Sequence, residues 1–286
     1  MEPALNNAPA KAGLGSDRSR STQGSLPLVL LLCFVIATAL GLYALSFLRT
    51  VLISERGREL AMNAAAVADT LDRVMFERYG DIQLFANDGI LRDGTAPEKT
   101  TRLLDYKQLY QYYSWLGVAD ENGQLIAATD ALPAQGTQGL NPESFELVHR
   151  TGTVHFEDMR PSPASHRKMA IGFTAPIYGP KGEFRGVVAT RVPFEQLQSI
   201  FEQEGRLRYG ESAYDWLLLD REGTVVSEKN RPSPLNGDPV KVDPPSQALA
   251  AAERDHPGFV QEIHRRRGNA VVTGYAWTRG YRNFQG

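Results

Sequence analysis

The chain has 286 residues, enough for about two domains at roughly 150 residues each. Its 31 Lys and Arg against 33 Asp and Glu leave a net charge of -2, which excludes the strongly basic face of a nucleic-acid binder. With 42% hydrophobic and 22% charged residues it is neither disordered nor fibrous nor polytopic in a membrane, and its single cysteine, Cys33, excludes an intrachain disulfide and a cysteine-based zinc site.

Residues 1–24, rich in Ala, Gly, Ser and Asn, read as a disordered tail. Leu26 to Leu48 then runs 23 residues without a charge, and about 20 suffice to cross a roughly 30 Å hydrocarbon layer as a helix. A cleaved signal peptide is the rival reading, with Ala37-Thr38-Ala39 as the small-residue site. Signal peptides carry about 7–15 apolar residues and this run continues past that site, so residues 25–48 are expected to stay as a transmembrane anchor. Lys11, Arg18 and Arg20 precede the segment and Arg49, Arg56 and Arg58 follow it, so the positive-inside count is nearly tied. A short tail inside and a folded body outside is the expected layout. No later stretch is apolar and long enough to span again. The 28 basic and 31 acidic residues of 49–286 are not arranged to hold an anionic membrane surface.

A helix follows directly over 49–80. Ile53, Leu60, Ala64, Val67, Leu71 and Val74 keep a largely four-three spacing, with Gly57 in the place of a missing apolar residue. The stripe suits packing against its own domain, contact with a second copy in a homodimer, or both along different portions.

From Tyr112 the period becomes that of short strands. Trp115–Ala119, the turn Asp120-Glu121-Asn122-Gly123 and Gln124–Thr129 form a hairpin. Thr153–Met159, Lys168–Ile177 and Phe184–Val192 are further strands, the last two joined by the turn Tyr178–Gly182, and Pro193 opens a helix through Gln203. The hairpin recurs: Trp216–Leu219, Asp220-Arg221-Glu222-Gly223 and Thr224–Ser227 repeat Asp120 and Gly123 at an offset of 100 residues. Five prolines make Arg231–Pro245 a loop, Ser246–Arg254 is a short helix, and Phe259–His264 and Ala270–Thr278 close a last hairpin over Arg265–Asn269.

The motifs W-L-G-V-A-D-E-N-G-Q-L-I-A-A-T, F-T-A-P-I-Y-G-P-K-G-E-F-R-G-V-V-A-T (173–190), the second hairpin and G-Y-A-W-T-R-G-Y-R-N-F-Q-G (274–286), in this order, resemble the double Cache sensor domains of bacterial receptors. The resemblance covers about 49–286. It implies an α+β fold: one transmembrane helix, a long stalk helix and two tandem PAS-like modules with antiparallel sheets. The membrane-distal module would be 81–200 and the membrane-proximal one 201–286. It also implies that the chain runs on into a closing strand, a second membrane helix and a cytoplasmic output domain such as a histidine kinase, a diguanylate cyclase or a chemoreceptor signalling module. The function implied is an extracytoplasmic small-molecule sensor at the bacterial inner membrane, its sensor domain periplasmic, with an amine, organic acid or amino acid in the distal module.

By position, Tyr113, Trp115, Asp158, Arg160, Phe173 and Tyr178 are the expected ligand-facing residues. Asp158 suits an ammonium group and Arg160 a carboxylate. Trp115 and Phe173 equally suit a core, and Asp158 and Arg160 could pair with each other. The amino-acid-binding subclass carries R-x-W-Y after the first hairpin, and Leu132–Leu147 holds no such motif.

Catalytic and cofactor signals are absent from the sequence, and neither a cofactor nor a metal is expected. His149, His155, His166, His256 and His264 lack metal spacing, Gly210-Glu211-Ser212-Ala213 fails as a nucleophile elbow, and no phosphate-cradling G-x-x-x-x-G-K occurs. Arg265-Arg266-Arg267 reads as a solvated turn or a phospholipid contact. The rival functions are a membrane-anchored periplasmic hydrolase and a ligand-free interaction ectodomain.

Overall fold

The computed structural model describes residues 26–130, 140–162, 169–196, 198–199, 215–220, 223–229, 246–252, 256–264, 267–282 and 284. The expected tail at 1–24, the proline-rich loop and most of the helix after Pro193 lie outside them.

Helix α1 runs Leu26–Ala86 without interruption, longer than the two segments expected there. Pro27 sits in its first turn, where a missing N–H costs nothing. Its first part is long and apolar enough to cross a membrane, with side chains such as Leu28, Phe34 and Leu45 exposed. Residues up to Glu55 form one unit and Arg56–Gly286 a second.

In the second unit the stripe of α1 is used inside its own fold. Val67, Leu71 and Val74 pack against a core that includes Met75, Ile82 and Phe85. Two further helices were not anticipated. Asp88 caps α2 (Gly89–Asp93) by accepting from the N–H of Ile90 at 2.8 Å and Leu91 at 3.1 Å. Glu98 reaches back to the Thr95 N–H at 2.7 Å to start α3 (Ala96–Leu109).

Strands β1 (Trp115–Ala119), β2 (Leu125–Ala128), β3 (His155–Pro161), β4 (Met169–Tyr178) and β5 (Phe184–Pro193) form one antiparallel sheet in the order β2-β1-β5-β4-β3. Successive side chains alternate between its faces. Leu116, Val118, Ile171, Phe173, Val188 and Val192 join the core on the α1 side. Trp115, Ala119, Val187 and Ala189 form a second cluster with Phe145 and Val148 of α4 (Pro142–Thr151), also unanticipated. α4 begins on the Asn141 cap and ends on Gly152 at φ +65°.

The repeated hairpin is real in its hydrogen bonds. In β6 (Leu217–Leu219) and β7 (Val225–Glu228), Leu217 faces Glu228, Leu218 faces Ser227 and Leu219 faces Val225. In β1 and β2, Gly117 faces Ala128, Val118 faces Ala127 and Ala119 faces Leu125. Each pairing is the other shifted by 100 positions, with the same bulge. Asp120 Oδ1 accepts from Gln124 N at 2.8 Å and Asp220 Oδ1 from Thr224 N at 2.7 Å, while Gly123 and Gly223 take φ of +78° and +79°.

Helix α5 (Gln247–Ala251) and the hairpin β8 (Gly258–Ile263) and β9 (Ala270–Tyr275) complete the described elements. This hairpin seats on α1 through two glycines. The Phe259 ring lies where a Cβ at Gly57 would stand, and the α1 backbone at Leu60 lies where a Cβ at Gly274 would stand.

Candidate functional site

Arg191 interrupts the apolar run of β5, and its neighbours Thr190 and Val192 point to the α1 side. The register places four residues in one row across the sheet: Glu157 on β3 faces Gly172 on β4, Gly172 faces Arg191 on β5, and Arg191 faces Trp115 on β1. The row lies on the same face as α4. Strands stand about 4.8 Å apart, so Glu157 and Arg191 are separated by one intervening strand. Gly172 supplies no side chain there, and a Cβ would occupy the place of the Arg191 guanidinium. The guanidinium thus lies across Gly172, its Nη2 donating to Glu157 Oε1 at 3.0 Å and Oε2 at 3.1 Å, with Nη1 donating to Thr190 O at 2.7 Å. Trp115 flanks it from the other side at 5.9 Å. Its own ring folds over Gly117, again where a Cβ would stand.

The pair is dry, with Arg191 and Glu157 side chains 4% and 3% exposed. Two buried charges survive only where hydrogen bonds accompany the ion pair, and here both Nη groups and both carboxylate oxygens are bonded. Glu157 accepts in addition from Thr174 Oγ1 at 3.3 Å and from Arg160 Nη2. Burial pulls the Arg191 guanidinium below its ordinary value and the adjacent Glu157 holds it up. His155, on the same strand as Glu157, is likewise held low, first by burial and then by the charge of Arg160, against the pull of Glu157. Arg160, 41% exposed, connects the cluster to solvent. Two guanidinium groups thus share the one carboxylate of Glu157, and Arg160 is the one of the two that reaches solvent.

Of the six expected residues the structure places Trp115 in this row, and Arg160, which faces Ala170 beyond the β3 bulge, reaches it through its pairing with Glu157. Tyr178 lies on the same face at the end of β4, its hydroxyl 2.6 Å from where a Cβ at Gly152 would stand. Tyr113 and Phe173 go to the opposite face. Tyr113 is buried beside Phe85 and donates to Asp81 Oδ2 at 3.0 Å, and burial pushes its phenol well upward. Phe173 packs in the core against Phe156. Asp158 is exposed in the β3 bulge and accepts from the N–H of Met159 at 2.7 Å, while Arg160 pairs with Glu157 rather than with Asp158. Glu157, Gly172, Thr174 and Arg191 were not singled out in the sequence. The usable signal was Arg191, a lone charge inside V-V-A-T-R-V. Among the described residues no group of His, Cys, Asp and Glu has the arrangement of a metal site.

No family model matches the chain, and no curated protein matches it. Solved structures do. The ligand-binding domain of the Pseudomonas aeruginosa PAO1 amino acid chemoreceptor PctB, in complex with L-Arg, superposes with a TM-score of 0.59 at 18% identity over 81% of this chain and 92% of that one. The ligand-binding domain of the Campylobacter jejuni chemoreceptor Tlp3, in complex with L-valine, gives 0.59 at 13% identity over 81% and 92%. That of the P. aeruginosa PAO1 chemoreceptor PctC, in complex with GABA, gives 0.52 at 14% over 73% and 89%. The chain has the double Cache fold of chemoreceptor ligand-binding domains.

Proposed function

We propose that this chain is the sensing part of a membrane-bound signal-transduction receptor, and that it recognises a small molecule through a carboxylate. The apolar start of α1 anchors it at the inner membrane, and the residues after Arg56 form the extracytoplasmic body. Residues 81–200 act as the distal, ligand-holding module and 201–286 as the proximal one.

The observation that carries the ligand class is the solvent-reaching guanidinium of the Arg191–Glu157–Arg160 cluster. Arg191 is buried with both Nη1 and Nη2 engaged, whereas Arg160 bonds Glu157 through Nη2 and is 41% exposed, so Arg160 is the guanidinium that a ligand carboxylate reaches. The carboxylate of Glu157 is already covered by two arginines and so is not the partner of an ammonium group. The ligands of the superposing domains, L-Arg, L-valine and GABA, all carry a carboxylate. Trp115 offers an apolar wall beside the charge.

The test is a thermal-shift series on the full chain in detergent micelles with acetate, succinate, GABA, valine and putrescine. A ligand at about 100 times its dissociation constant adds about 2.7 kcal/mol to stability. Stabilisation by carboxylates and none by putrescine is expected. Stabilisation by putrescine alone would reverse the assignment of charge.

A further inference from the structure

The segment after β9 does not leave the fold but climbs α1. Gly274 packs on the α1 backbone at Leu60 and Ala61. Ala276 and Trp277 line a cavity of about 320 Å³ with Ala65, Ala68 and Asp69 of α1. Arg279 N–H donates to the buried Asp72 Oδ2 at 2.7 Å. Tyr281 meets the Phe76 ring edge-on at 5.2 Å between centroids, and Phe284 meets Tyr79 at 5.8 Å. From Ala61 to Tyr79 this is a rise of about 27 Å along the helix. At its top the chain turns back on itself, Tyr281 N donating to Phe284 O at 2.8 Å and Phe284 N to Tyr281 O at 3.0 Å. Arg282 in this turn takes φ +54°, the only positive value at a non-glycine among the described residues.

Phe284 ends up 4% exposed, 5.7 Å from Phe156 on β3 and 6.1 Å from Phe173 on β4. Those two residues are chain neighbours of Glu157 and Gly172, on the reverse face of the same two strands. A tight apolar core transmits small displacements because it has no slack.

We infer that residues 276–282 and Phe284 are a latch that reads the position of β3 and β4 from behind the charge cluster and carries it down α1 to the β8–β9 hairpin. Phe284 is the positioning residue, and the Asp72–Arg279 bond is the point where the latch grips the helix. The inference rests on the α4 face being the ligand site. Coupling of this kind is reciprocal, so whatever moves the cluster must change the stability of the latch.

Hydrogen exchange of the full chain in detergent micelles reads the three latch amides at Arg279, Tyr281 and Phe284. Arg160→Ala, which disturbs the cluster at a half-exposed position, is expected to change their exchange several-fold. Arg160→Lys is expected to restore most of it, and Phe284→Leu, which keeps an apolar plug, to retain the response to position 160. A change confined to β3 and β4, with the three amides unmoved, overturns the latch. Acetate binding is measured separately by thermal shift. Failure of acetate to bind counts against the ligand assignment, while the exchange result still decides the latch.

Discussion

Arg191 and Glu157 face each other across Gly172, their charged groups 3.0 Å apart and both shut off from solvent. The pair reaches from the central strand β5 to the edge strand β3 on the sheet face that carries α4. Breaking such a pair on one side leaves an uncompensated charge, which generally costs about 3–5 kcal/mol. Arg191→Met is expected to fall at the lower end of that range, because Arg160 and Thr174 still serve Glu157. The double variant Arg191→Met, Glu157→Leu is expected to recover most of the loss. Urea denaturation midpoints check both; a loss under about 1 kcal/mol in the single variant would mean the carboxylate finds water after all.

Gly57 gives a prediction whose sign can be reversed. Alanine in a helix interior is normally favoured over glycine by about 1 kcal/mol. Here the Phe259 ring occupies the place of the new methyl, so Gly57→Ala is expected to destabilise by about 1–3 kcal/mol through overpacking. In a Phe259→Ala background the same change is expected to stabilise. If Gly57→Ala stabilises the unaltered chain, the hairpin does not seat on α1 as described.

The pH dependence follows from His155. Burial holds its imidazole below the ordinary value of about 6.5, so the unfolded chain takes the proton first. Its contribution is complete above about pH 6.5 and is lost as pH falls from there through the folded value. The urea midpoint is expected to drop between about pH 7.5 and 5.5, and His155→Gln to flatten part of that slope. Equal slopes in the two proteins would remove His155 as the cause.

Much of the fold is readable from the chain. The Asp120–Gly123 and Asp220–Gly223 turns announce themselves, because each needs an aspartate to bind the turn and a glycine at positive φ. The helices α3 and α4 carry their signals too, Thr95 three residues before Glu98 and Asn141-Pro142 ahead of Gly152, but without a long apolar stripe the sequence reading leaves them unassigned. The site was only partly readable. Phe173 sits one residue from Gly172, and one step along a strand exchanges the faces of the sheet. Tyr113 precedes β1, so the strand's alternation does not reach it. The row Glu157–Gly172–Arg191–Trp115 exists only once four distant stretches are set in register, and no local pattern shows that register.

The ligand assignment rests on Arg160 being the solvent-reaching guanidinium of the cluster, and isothermal titration of acetate and succinate into the full chain, with and without Arg160→Ala, tests this most directly. Binding to the unaltered chain, weakened about 10-fold or more in the variant while its unfolding midpoint stays within about 1 kcal/mol, is the predicted result. Equal affinity in the two proteins, or putrescine bound and both carboxylates ignored, would contradict it.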